Sequence, residues 1–325
     1  MNQYQKIKDL SLDAKTTTVV LFQSATERET KSGKAYCSLE LSDGESQITA
    51  NLWNTSKEEL LMKIQERSLI TAELYPKMYN DALTYELFRY DKAPDGCEIK
   101  DFVIHAPYDA EYMYSSILKK LRAEIPVSDM PDLVDFAIEI YENNKEKIMY
   151  WSAAKSIHHN FLGGWLYHNF RMLYTAASIS RIYTTLDKEL LLTATVLHDI
   201  GKLFELETDE LGIADYTIEG TLFGHALIGI EMLNDTFREN NIHYGHLKEK
   251  FMLLKHLIAS HHKNLEWGAI TVPATPEALV LHAVDLIDAK TTQYESILAE
   301  LEPGEMSDRV FGLDGRVYKP AYASK

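Results

Sequence analysis

The chain has 325 residues, 46% of them hydrophobic and 25% charged, which allows two domains and a sizeable core in an ordinary globular protein. No apolar run approaches the roughly 18 residues needed to cross a bilayer. The opening MNQYQKIKDLSLD lacks the apolar core of a signal peptide, and Cys37 and Cys97 form neither a CxxC pair nor a disulfide framework, so the expectation is a cytoplasmic protein without a membrane partner. The net charge of −16 argues against non-specific polyanion binding over the whole surface. It is unevenly spread, with 12 Lys+Arg against 14 Asp+Glu in residues 1–93 and 21 against 35 in the remainder.

Residues 16–25 (TTTVVLFQSA) read as a strand, and the polar run ERETKSGK reads as the turn that follows. In AYCSLELSD, Ala35, Cys37, Leu39 and Leu41 alternate with Tyr36, Ser38 and Glu40, as a half-buried strand requires. After the turn DGES, QITANLWN repeats the pattern with Ile48, Ala50 and Leu52. KEELLMKIQ has the pattern of a short amphipathic helix, and SLITAELYP and ALTYELFRY are two more strands joined near Asn80-Asp81. Three strands, a helix and two strands is the order of a five-stranded OB barrel. Residues 91–101 (DKAPDGCEIKD) carry the Pro and Gly of a linker. From Tyr108 onward the period is helical, through EYMYSSILKKLRAEI and DLVDFAIEIYENNKEKI and on to about residue 300. The expected fold class is therefore α+β multidomain. A small β-barrel covers 1–93, a linker and helical connection 94–150, and an all-α domain with a C-terminal tail 151–325.

Eleven of the twelve histidines fall between positions 158 and 282. A single histidine on an apolar face is ordinarily a satisfied core or surface residue, but these come with acids at helix-like spacing. LLTATVLHDIGKLFE reads as an apolar helix carrying His198-Asp199 near its end and closed by Gly201. A polar pair in so apolar a stretch is costly without a partner. A divalent cation, which takes a neutral imidazole nitrogen and a carboxylate oxygen together, is a natural one. His168 lies in GGWLYHNF, where Gly163-Gly164 leaves room for close helix approach. His282, Asp285 and Asp288 recur every third residue in one apolar helix and share roughly one face. Of these Asp285 is the better ligand and Asp288 a supporting residue. His225 in LFGHALIG and the pair His261-His262 offer further nitrogens.

The order H…HD…H…H…D resembles the HD phosphohydrolases, an all-α superfamily. The segments SIHHNFLGGWLYHN, LHDIGKLFEL, YTIEGTLFGHALIG, SHHKNLEWG, PEALVLHAVDLIDAK and RVFGLDGRVYKP resemble the YhaM family of 3′–5′ exoribonucleases, over essentially the whole chain. That family pairs an N-terminal OB domain with an HD domain. Lys263-Asn264-Leu265 departs from it, because members often carry a glycine after the paired histidines. The resemblance implies that His168, His198, Asp199 and Asp285 hold a first metal ion. It implies that His225 and His261 serve a second, with His262 the alternative to His261 and Asp199 bridging the two. Lys202 matches the lysine of HDxGK and would contact a substrate phosphate, unless it merely answers a helix dipole. His158 and His159 either line the pocket or are buried structural histidines. Mixed imidazole and carboxylate ligands suit Mn²⁺, the favoured ion, and Fe²⁺, Co²⁺ or Zn²⁺ better than Mg²⁺. Such ions activate water near neutral pH, so phosphodiester hydrolysis needs no protein nucleophile.

OB barrels commonly bind single strands through aromatic residues and scattered cations. Tyr36 is the foremost stacking residue, because it opposes the apolar face of its strand. Trp53, Tyr79, Tyr85 and Phe88 are others, each equally suited to a place in the barrel core. Lys31, Lys34, Lys77 and Arg89 are the cations available for phosphates. The expected activity is metal-dependent 3′–5′ exonucleolytic hydrolysis of single-stranded RNA, with single-stranded DNA a further substrate and a homo-oligomer an open state of assembly. The polarity and the choice of RNA come from the resemblance alone. The rival readings are a nucleotide or cyclic-dinucleotide phosphohydrolase with a regulatory barrel, and a non-catalytic single-strand-binding protein that keeps its metal for stability.

Overall fold

The computed structural model describes residues 4–30, 32–79, 82–153, 161–209, 211–310, 312–313 and 315–322, leaving aside the side chains of residues 100 and 300. The chain forms two compact units, residues 1–105 with 210–212, and residues 106–209 with 213–325.

The first unit is a closed barrel of β1 (Thr16–Glu29), β2 (Ala35–Ser42), β3 (Gln47–Trp53), β4 (Ser68–Tyr79) and β5 (Ala82–Lys92), in the order β1-β2-β3-β5-β4. All neighbours are antiparallel except β3 and β5. Closure depends on β1, whose first half (Thr16–Phe22) pairs with β4 and whose second half pairs with β2. The register slips between Phe22 and Ser24, a bulge that bends the strand from one partner to the other. The expected alternation fills the interior with Cys37, Leu39, Leu41, Ala50, Ile70, Ala72 and Leu74, all buried. Helix α1 (Lys57–Leu61), capped by a reciprocal Ser56–Glu59 box, buries Leu60 in this core. Two boundaries differ from the sequence reading. β1 runs on through Glu27-Arg28-Glu29, because these polar residues are still paired with Cys37, Tyr36 and Ala35. The helix KEELLMKIQ shortens to its first five residues.

The second unit is helical: α2 (Ala110–Glu124), α3 (Leu133–Asn143), α4 (Lys145–Ile148), α5 (Gly164–Ile182), α6 (Lys188–Leu197) and α7 (Lys202–Glu205) precede a small hairpin of β6 (Leu206–Thr208) and β7 (Ala214–Tyr216). α8 (Ile218–Glu239), α9 (Asn241–Tyr244), α10 (Lys248–Ser260) and α11 (Pro276–Glu300) follow. Within the 94–150 stretch, expected as a connection, α2 and α3 contribute Met113, Ile117, Leu133 and Phe136 to the helical core. α6 is the centre, contacting α3, α5, α10 and α11, and Leu190 through Leu197 are all buried. That is why its sequence is apolar on every side. Each buried leucine there contributes about 2 kcal/mol, which offsets the cost of ending the helix on polar groups. The hairpin β6-β7 was not foreseen, and His158 and His159 lie outside the described residues. Among the described residues no helix is long and apolar enough to cross a membrane.

Candidate metal centre

LLTATVLHDIGKLFE is two helices. α6 stops at Leu197, His198 follows in the capping position, and a tight turn leads into α7. Gly201 does not close α6 as a left-handed cap, since its φ is −63°. Its missing side chain matters for space: a Cβ there would lie 2.0 Å from the carbonyl oxygen of His225 and 2.6 Å from the nitrogen of Gly229. The turn bearing Asp199 therefore packs backbone to backbone on α8. α8 is itself broken at Gly224, with φ 71° and ψ 156°, a conformation that favours glycine and that presents His225 at the start of the second segment. Gly163 likewise serves by its positive φ of 74°, starting α5, rather than by close helix approach.

These turns bring the predicted residues together in two clusters. In one, His168, His198 and Asp285 offer ligand atoms within 4.8 Å of one another; in the other, His225, His261 and His262 do the same. Asp199, only 2% exposed, lies against both. Its Oδ2 is 3.3 Å from His198 Nε2 and 3.9 Å from His168 Nε2. Its Oδ1 is 3.3 Å from His225 Nε2 and 3.8 Å from His261 Nε2. Lys202 Nζ stands 2.8 Å from Asp199 Oδ2. Because α6 ends at Leu197, this lysine does not answer that helix's dipole; its ammonium faces the cluster. Both His261 and His262 reach the second cluster, with Nε2 atoms 3.4 and 3.0 Å from His225 Nε2.

The outer nitrogens fix which atoms face inward. His198 Nδ1 donates to the Thr195 carbonyl at 2.9 Å and His261 Nδ1 to the Ile258 carbonyl at 2.6 Å. A carbonyl only accepts, so in each neutral ring the inward Nε2 carries a bare lone pair. His168 Nδ1 meets Asp288 Oδ2 at 2.7 Å, and Asp288 is held in turn by Arg171 Nε at 2.7 Å. His225 Nδ1 meets Glu205 at 3.0 Å. His282, on the same helix as Asp285, donates from Nδ1 to the His261 carbonyl at 2.7 Å and so braces the turn. Lone pairs thus converge on a carboxylate, an arrangement that repels itself unless a cation lies between. Buried His198 Nε2 and Asp199 Oδ1 have no hydrogen-bond partner, a cost relieved by a metal ion. The donor set fits a borderline divalent cation.

Protonation states follow the same logic. Burial pushes the His261 imidazole well below its usual range, reinforced by His262 and His198. Burial also takes His262 down to about 4, with His225 adding to the effect. For His168 burial pulls downward, but the bonds to Asp285 and Asp288 outweigh it and raise the pKa to about 9. Burial would raise Asp199; Lys202 and His198 hold it well below the ordinary carboxylate range instead. Lys202 is desolvated, yet Asp199 keeps its pKa above the usual value, so it stays charged.

On the barrel, Tyr36 and Trp53 face one another across β2 and β3, their rings 4.7 Å apart, with Trp53 41% exposed. Trp53 Nε1 donates to Glu86 at 2.7 Å, and Lys77 Nζ is bound to the same carboxylate at 2.6 Å. The charge of Lys77 is therefore already neutralised. Arg89 is extended into solvent, 3.6 Å from Glu73, and Lys34 is exposed. Tyr79 and Phe88 are exposed, with Lys15 lying over the Phe88 ring, whereas Tyr85 packs on the barrel core. Lys31 lies outside the described residues.

The HD domain family model matches residues 165–290. Over 307 residues the chain is 31% identical to the 3′–5′ exoribonuclease YhaM of Oceanobacillus iheyensis, covering 93% of both chains. The chain belongs to the YhaM family. It combines that family's HD region with a five-stranded barrel, and it is a hydrolase. The barrel is also similar to the second OB-fold domain of replication protein A from Methanococcus maripaludis, at 21% identity and TM-score 0.23, covering 29% of this chain and 98% of that one. An OB domain from Thermoplasma acidophilum matches at 14% identity and TM-score 0.23, over 29% and 90% of the two chains. In this YhaM family member the sequence reading missed Glu205 and Arg171. The signal for Glu205 was an acid between Phe204 and Leu206 in the run KLFEL, and Arg171 stands one turn beyond His168.

Proposed function

We propose that this protein is a metal-dependent 3′–5′ exonuclease of single-stranded RNA, also able to act on single-stranded DNA, whose HD centre holds two divalent ions. The observation that carries the reading is the pair of orphaned atoms, His198 Nε2 and Asp199 Oδ1, buried among inward-facing imidazole nitrogens. His168, His198, Asp199 and Asp285 hold the first ion. His225, His261 and His262 would hold the second, and Asp199, which lies against both clusters, would serve the two sites together. When bound, the ions lower the pKa of water and stabilise charge on the phosphoryl oxygens; Mn²⁺ is the favoured occupant.

The chain's own groups do the rest. Asp199 and Asp285 stay ionised and fix the clusters against each other. Lys202 keeps its charge and takes a non-bridging oxygen of the scissile phosphate. Tyr36 and Trp53 stack bases of the incoming strand, which accepts any sequence because every base has a π-face. Arg89 and Lys34 supply phosphate contacts. The polarity and the RNA substrate follow the Oceanobacillus iheyensis relative, a 3′–5′ exoribonuclease. The free thiols Cys37 and Cys97 suit a reducing, cytoplasmic compartment.

The test is digestion of 5′- and 3′-labelled single strands, RNA and DNA, with Mn²⁺ and other divalent ions. The expected ladder shortens from the 3′ end and is faster on RNA. Shortening from the 5′ end overturns the polarity, and inert RNA with every ion overturns the nuclease. Free nucleotides and cyclic dinucleotides run in parallel; their turnover without RNA cleavage would favour the small-substrate reading.

A further inference from the structure

Glu205 stands apart from both clusters, yet it is 8% exposed and its carboxylate has an unusual set of partners. Oε1 accepts from the backbone nitrogen of His225 at 3.1 Å, and the ring Nδ1 of the same residue lies 3.1 and 3.0 Å from the two oxygens. One side chain therefore sets both the backbone and the imidazole of His225. The contact is built from below. Thr217 donates from its nitrogen to the Glu205 carbonyl at 2.9 Å. A Cβ on Gly220 would lie 2.1 Å from that carbonyl oxygen, so α8 can approach α7 this closely only with glycine there. Gly224, broken out of the helix, brings His225 over the carboxylate.

The two clusters differ in charge. The first contains the carboxylate of Asp285, whereas the second consists of three imidazoles and shares only Asp199. Three neutral nitrogens and one shared carboxylate leave a dication poorly neutralised. Behind His225 the missing negative charge is present, one hydrogen bond away, as Glu205. Resting on the two-ion reading above, we propose that Glu205 is the positioning residue of the second site: it orients His225 and supplies the charge that lets the three-histidine cluster retain its ion, so that occupancy of the second site, and not of the first, depends on it.

The variant Glu205→Gln keeps a neutral acceptor of the same shape and removes the charge. Calorimetric titration of the metal-free full chain with Mn²⁺ gives the number of ions and both binding constants, and circular dichroism with a melting curve checks folding. The expected result is a second constant weakened about 10–100-fold with the first unchanged. Glu205→Asp, which restores the charge, is expected to recover part of the loss, and Asp285→Asn is expected to show the opposite pattern. In electron paramagnetic resonance, the signal of a coupled Mn²⁺ pair should need correspondingly more Mn²⁺ in E205Q. Two ions bound alike by wild type and E205Q, or both sites weakened equally, overturns the role of Glu205 and leaves the two-ion centre standing. A wild type that saturates at one ion also overturns it, while one that binds none sinks the metal centre itself. One readout needs no variant. The His225 Nδ1 proton, bound to a carboxylate, should resonate far downfield in the protein loaded with diamagnetic Zn²⁺, and its absence refutes the inference even if E205Q fails to fold.

Discussion

Raising the pH from 7 to 8 should tighten binding of the first metal ion about tenfold, through His168. In the metal-free chain this imidazole is held protonated to about pH 9, between Asp285 at 3.4 Å and Asp288 at 2.7 Å. An ion can use Nε2 only after that proton leaves, so below pH 9 each pH unit changes the affinity by about a factor of ten. The corresponding stability has a definite sign. The folded pKa lies above the unfolded value near 6.5, so protonation stabilises the metal-free protein fully below about pH 6.5 and is lost as pH rises through 9. The difference is worth about 3 kcal/mol. Burial leaves His261 and His262 neutral already, so they add nothing to the slope between pH 7 and 8. The assay is calorimetric titration with Mn²⁺ in buffers of different ionisation enthalpy, which counts protons released. Close to one proton should leave with the first ion. Asp288→Asn removes one of the carboxylates that raise the pKa, and should flatten the dependence. An affinity that does not change with pH and releases no proton would refute the assigned role of His168.

Other changes probe the remaining parts. His198→Ala and Asp199→Ala should reduce Mn²⁺-dependent digestion to background while single-strand binding, read by fluorescence anisotropy, stays within about twofold of wild type, because neither residue belongs to the barrel. Trp53→Ala removes the exposed ring of the Tyr36–Trp53 pair and should weaken single-strand binding by about 1–3 kcal/mol without changing metal uptake. Lys77→Ala should leave the salt dependence of binding nearly unaltered, since Glu86 already neutralises that lysine. Gly201→Ala forces a methyl group to within 2.0 Å of the His225 carbonyl, so a destabilisation of about 1–3 kcal/mol and weaker metal binding are expected in melting and titration.

What the sequence disclosed depended on whether the signal was local. Cys37, Leu39 and Leu41 alternate because one face of β2 fills the barrel, and that period is visible without knowing the partner strands. The end of β1 is different: Glu27, Arg28 and Glu29 have no apolar signal, and their extended backbone is set by pairing with β2. His168, His198, Asp199 and Asp285 stood out in the sequence because each is polar within an apolar stretch, where burial demands a partner. Glu205 did not, since its meaning arises only when α7 meets α8, a contact that Gly220 allows and that neither helix shows alone. Lys77 looked like a phosphate contact for the same reason. Glu86 neutralises it from the neighbouring strand, and the register of β4 on β5 is not written in either strand alone.

The site's position at the end of α6 follows from what the chemistry requires of the backbone. Lone pairs from separate helices can be held a few ångströms apart only if those helices cannot relax away from one another. α6 meets that requirement, being buried from Leu190 to Leu197 and locked where Trp165 Nε1 donates to the Asp199 carbonyl at 2.9 Å. Rigidity has a cost here. Each orphaned buried polar atom lowers the stability of the metal-free chain by about 1–3 kcal/mol, and a packed core leaves no easy rearrangement to hide it. The same strain is what a cation relieves on binding, so a centre built this way converts core packing into metal affinity. Asp199 extends the effect to both clusters. With one oxygen toward His198 and the other toward His225, it ties the charge requirement of each cluster to its neighbour, and an ion held on one side would fix the carboxylate in the orientation the other side needs.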